Sequence, residues 1–199
     1  MSATHEEIAK RKNILDKVRN NIKISKEERL WLVTNPVHNL RWGTDAFNIA
    51  IEHIEPNKCY MLTIKIESIS YDKRIIPVVS VPGAKGKIIA DFQLYDFEEN
   101  ETSRREVKML GVGINRNAPH EYKVKYISDL GLIGVQYQCD YFDPQQNLNK
   151  CESSSTGNLS LAMRREVINE CTVRYYCKSP VAETFDALIF SVKWRGLIQ

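Results

Sequence analysis

Glycine and proline are scarce in this chain of 199 residues, at 9 and 7 respectively. With hydrophobic residues at 43% and charged residues at 27%, that scarcity excludes collagen-like repeats, low-complexity domains and long disorder. No stretch approaches the roughly 20 apolar residues of a membrane-spanning helix. Met1 to Lys12 is polar and lacks the apolar segment of a secretory signal. The expectation is a soluble, cytoplasmic protein without a membrane partner.

Catalytic and metal-binding signatures are equally thin. The only histidines are His5, His38, His53 and His120, and no serine sits in a Gly-x-Ser-x-Gly turn, so no nucleophile has a base beside it in sequence. There is no Cys-x-x-Cys. The nearest cysteine pair, Cys171 and Cys177, is followed by no histidine at finger spacing, which argues against structural zinc. An odd set of five cysteines without a signal segment predicts free thiols. Cys59, Cys139, Cys171 and Cys177 then read as small buried hydrophobes in strands. The run from Pro82 to Lys87 lacks the order of a phosphate-binding loop, and Lys87 opens a strand, so it reads as a hairpin turn.

What is present is a helical start followed by a long alternating body. Thr4 with Glu7 has capping-box spacing, and a helix is predicted over residues 4–23. Ile14, Leu15, Val18 and Ile22 fall on one face of it, with Arg11 and Lys12 at the flank. A second capping box, Ser25 with Glu28, leads into Leu30–Val33, and Asn35-Pro36 ends that short helix. Residues 1–30 carry the whole net charge of +3 and leave the remainder neutral.

From residue 46 the period becomes two. Tyr60, Leu62, Ile64 and Ile66 alternate with polar neighbours. So do Tyr122–Tyr126, Val135–Tyr141, Val173–Cys177 and Leu188–Trp194, with shorter runs at Ile76–Ser80, Ile88–Leu94, Val107–Ile114 and Leu159–Met163. Residues 142–157 read as the longest loop. The segment 44–54 fits helix or strand and is assigned as strand. Ile54, Pro56 and Tyr60 have the spacing of a corner at which a tyrosine hydroxyl reaches back to the backbone beside the proline. The predicted fold is mainly β: an antiparallel β-sandwich of jelly-roll or Greek-key type over 46–199, behind a helical appendage over 1–45.

Such a body with no catalytic constellation reads as a recognition or assembly module, not an enzyme. It would dock to a protein partner or self-associate, as in a virion or other complex, and needs no cofactor. The partner-binding candidates are Ile14, Leu15, Val18 and Ile22 with Arg11 and Lys12. The alternatives are carbohydrate binding by stacking on Trp42 and Tyr176, and a hydrolase using carboxylates of the 140–152 loop. Asp140 and Asp143 there are the candidate ligands for calcium, against a plain solvated loop. Nucleic acid could be held by the basic helix, but eight cations diluted by five acids over 30 residues argue against it.

Overall fold

The computed structural model describes residues 5–80, 84–90, 93–95, 106–108, 121–156 and 160–197; for Val33, Thr156 and the segments between 84 and 108 only the backbone path is described. Helix α1 spans His5–Arg19 and α2 spans Lys26–Thr34. Thr4 lies outside the described residues. The exit of α1 is built by Asn21, at φ 56°, with Ile22 N–H on Lys17 O and Asn21 N–H on Val18 O. These two bonds satisfy carbonyls that the last turn leaves open, and asparagine tolerates the left-handed conformation they require. The predicted box at α2 is complete: Glu28 N–H donates to Ser25 Oγ, and Ser25 N–H donates to the Glu28 carboxylate.

Among the described residues thirteen strands follow: β1 (Val37–His38), β2 (Ala46–His53), β3 (Cys59–Ile69), β4 (Ile75–Ser80), β5 (Ala84–Ala90), β6 (Gln93–Tyr95), β7 (Glu106–Lys108), β8 (Glu121–Ser128), β9 (Leu132–Asp143), β10 (Leu148–Ser153), β11 (Met163–Asn169), β12 (Thr172–Cys177) and β13 (Leu188–Gly196). Eight of them form one continuous antiparallel run, β8-β3-β13-β12-β11-β2-β9-β4. Short strands extend it at both ends, β1 adds to β2, and β10 adds to β9.

The sandwich expectation is corrected here. The body is one curled sheet, a half-barrel, instead of two stacked sheets. The cause is β2. Its first residues pair with β11 (Met163 with Phe47), and its last pair with β9 (Ala50 with Val135), so one strand keeps both halves hydrogen-bonded. Period-two alternation cannot distinguish the two architectures, because each has one buried face per strand.

The core lies inside the curl. Leu62, Ile64, Val173, Tyr175, Phe190 and Val192 are buried there, with the Tyr175 and Phe190 rings stacked 5.2 Å apart. Glu52 is the acid of this interior, 5% exposed. It accepts from Tyr175 Oη at 2.6 Å and from Arg165 Nη2 at 3.0 Å. Burial pushes its carboxyl above the usual range, and the two donors oppose that shift. The predicted corner is present: Glu55 N–H donates to the Tyr60 hydroxyl at 3.2 Å. Gly131, at φ 62°, closes against it, where a Cβ would meet Ile54 O at 2.5 Å.

Two further expectations change. Residues 142–153 belong mostly to a hairpin of β9 and β10, with Asp143 Oδ1 accepting from the N–H groups of Gln145 and Gln146 and Asn147 at φ 51°. The hairpin is mostly exposed, so no apolar alternation marks its second strand. The strand predicted over Leu159–Met163 instead begins at Met163, after buried Leu161 and Ala162; Leu159 lies outside the described residues. Pro82-Gly83 and most of 107–114 also lie outside them.

Candidate functional site

The N-terminal helices fold into a hairpin tied together by cations from α1. Arg11 Nη2 donates to Asn35 O at 2.9 Å, Pro36 O at 3.2 Å and Leu32 O at 3.4 Å. A guanidinium thus closes the carbonyl end of α2, where both the open acceptors and the helix dipole favour positive charge. Lys10 Nζ and the Arg11 guanidinium lie 4.7 and 5.3 Å from the centroid of the Trp31 ring. Lys17 pairs with Glu28, whose carboxyl is held below its usual range chiefly by that lysine. A small groove remains between the helices and the entry to β1, lined by Glu7, Ile8, Arg11, Trp31, Pro36 and His38 among others.

The apolar stripe of α1 divides. Ile14 is 2% exposed and buried within the chain. Leu15 and Val18 remain 37% and 47% exposed; Ile22, expected on the same helix face, lies beyond the helix end at Arg19 and is 55% exposed, and Leu30 of α2 is 45% exposed. Lys12 is exposed beside them, and Arg19 Nη1 pairs with Asp16 at 3.3 Å. Of the six residues predicted to bind a partner, Ile14 and Arg11 hold the appendage together, and Leu15, Val18, Ile22 and Lys12 face outward.

The remaining candidates are not gathered into one place. The Trp42 indole is engaged within the chain: Lys178 Nζ lies 4.0 Å and the Arg41 guanidinium 5.2 Å from its centroid, and Phe185 meets it edge-on at 6.4 Å. Lys178 is itself buried and donates to Ser160 O and Ser179 O, and burial lowers its pKa. Tyr176 stands on the outer face of β12, its hydroxyl donating to Glu166 at 2.6 Å. Asp140 receives both Nε and Nη2 of Arg74 at 2.9 Å, which holds its carboxyl below the usual range. Asp143 pairs with Lys150 at 2.6 Å. Three positions apart on one strand, the two aspartates point to opposite faces. Among the described residues no group of three or more His, Cys, Asp or Glu is placed to hold a metal.

Sequence reasoning missed the bond from Arg11 to the end of α2 and the burial of Lys178. The first joins residues more than 20 apart, and nothing local marks the second. No helix among the described residues is long and apolar enough to cross a membrane. The chain matches no protein-family model, no curated protein and no solved structure.

Proposed function

We propose that the protein is a non-catalytic assembly module that self-associates through the outer stripe of α1. The observation that carries this reading is the exposure of Leu15 and Val18 on a helix already anchored through Ile14 and Arg11, with Ile22 exposed just beyond the helix end. An anchored helix does not need those three side chains for its own position, and leaving them 37–55% exposed forfeits about half of the roughly 1.5–3 kcal/mol that full burial of each would contribute. Internal ion pairs reduce, without removing, the charge that opposes the pairing of two copies. Arg11 and Lys17 are consumed within the hairpin, and Arg19 is offset by Asp16. Lys12 and Lys23 are then the exposed cations left near the stripe.

Amide hydrogen exchange of the full chain at low and high concentration tests the reading. Exchange over residues 5–22 should slow as concentration rises, with the sheet unchanged. Exchange of α1 that is independent of concentration contradicts self-association. The second reading is docking to a different protein with an apolar groove rimmed by acids. It rests on the same stripe and on the positive charge of residues 1–30.

A further inference from the structure

The neutral total over residues 31–199 conceals a segregation of charge that only strand order reveals. Registers fix which residues stand side by side on the convex face of β8, β3, β13 and β12. Lys125 pairs with Met61 and Met61 with Arg195; Lys123 pairs with Thr63, Thr63 with Lys193, and Lys193 with Thr172. The next row runs Glu121, Lys65, Ser191, Arg174. Each cation alternates with a buried neighbour, such as Val124, Ile64, Val192 or Trp194, which sets its side chain on the outer face.

Across these four strands the outward positions carry Lys65, Lys123, Lys125, Arg174, Lys193 and Arg195 against Glu67 and Glu121. Arg174 is consumed by Glu67 at 2.7 Å and Glu166 at 3.2 Å, and Lys123 pairs with Glu121 at 3.2 Å. Lys65, Lys125, Lys193 and Arg195 are exposed and form no ion pair among the described residues. Six cations against two acids on one face leave an excess of positive charge that repels itself, and an external polyanion relieves that repulsion.

We infer that this face binds the phosphate backbone of duplex nucleic acid, independently of base sequence. The cations stand in two columns, on β8 and β13, with Lys65 on β3 between them. Successive members of a column are about 7 Å apart and the columns about 10 Å apart. Lysine and arginine side chains at that separation reach phosphates on both sides of a duplex groove roughly 6–12 Å wide. Thr63 between the columns, and Ser191 within the β13 column, add hydroxyl donors of the kind that bind phosphate. Two features favour a duplex over other polyanions. Single strands are held by stacking on aromatic rings, and Tyr176, the ring on this face, is bound to Glu166. Stable membrane attachment needs an apolar insertion beside the charge, and no outward position of these four strands is an exposed large hydrophobe.

The test is fluorescence anisotropy of the full chain with a duplex DNA of about two helical turns, in a salt series, with duplex RNA as the second probe. Binding should weaken with salt at a log–log slope near −4, as expected when about four or five phosphates are neutralised. Lys193→Glu with Arg195→Glu should weaken binding by at least about tenfold near 0.1 M salt and reduce the slope by about 2. Lys65→Gln with Lys125→Gln, which adds no acid, should weaken it less and flatten the slope too. Lys26→Gln with Arg29→Gln, on α2 of the basic N-terminal segment, should leave it unchanged. Circular dichroism and melting of each variant verify the fold. The inference is overturned by absence of duplex binding at low salt. It is equally overturned by tighter binding to a single strand or to anionic vesicles, or by a loss that follows the helix variant and not the sheet variants.

Discussion

Leu62 has no exposed surface and stands in register between Val124 of β8 and Trp194 of β13. Leu62→Ala should therefore cost about 2–5 kcal/mol, through lost transfer energy and the cavity left behind, read as a lower urea midpoint at unchanged slope. Asp140 should show its role through pH. Its carboxyl is held down chiefly by Arg74, so its contribution is present above the ordinary aspartate range and lost as pH falls through its lowered native value. Asp140→Asn should destabilise the protein near pH 7, with a penalty that shrinks as pH falls below the ordinary aspartate range, in melts across pH 7 to 2. An equal penalty at both ends would remove the ion pair as the cause. Leu62 was legible in the sequence because its strand alternates cleanly. The Asp140–Arg74 pair was not, since the two residues lie 66 positions apart and no local period couples them.

Elements were legible where local chemistry is strong. Ser25 and Glu28 announce α2, and Asn35-Pro36 ends it where predicted. Ser25→Ala should weaken that helix by about 1 kcal/mol, seen as faster amide exchange over 26–34 with little change in the sheet. The second strand of the β9–β10 hairpin was missed for the opposite reason. Leu148, Asn149 and Cys151 are exposed, so burial imposes no alternation and the Asp143-Pro144 turn signal dominates. The stripe of α1 was legible as a face, but its division between buried Ile14 and exposed Leu15, Val18 and Ile22 was not. That division depends on how the helix sits against α2 and the entry to β1, which no period encodes.

At the scale of the molecule, strand content follows from the pattern, and the difference between half-barrel and sandwich follows from the dual pairing of β2. The same curl sets thiol reactivity. Cys59, Cys139 and Cys177 are buried, with the Cys139 thiol pushed up to about 12 by burial, whereas Cys151 is exposed. Brief alkylation of the native protein should modify Cys151 first, and denaturation should expose five free thiols to mass spectrometry. A disulfide in the unreduced chain would contradict the structure. The central claim is that the outer stripe of α1 joins two molecules, and solution mass tests it most directly. Light scattering should be read from about 5 to about 200 µM on the full chain and on Val18→Asp with Ile22→Asp. The account predicts that the wild-type mass climbs from 23.0 kDa toward its double, while the variant stays at 23.0 kDa with an unchanged melt. A wild-type mass fixed at 23.0 kDa throughout, or a variant that loses its fold, would contradict it.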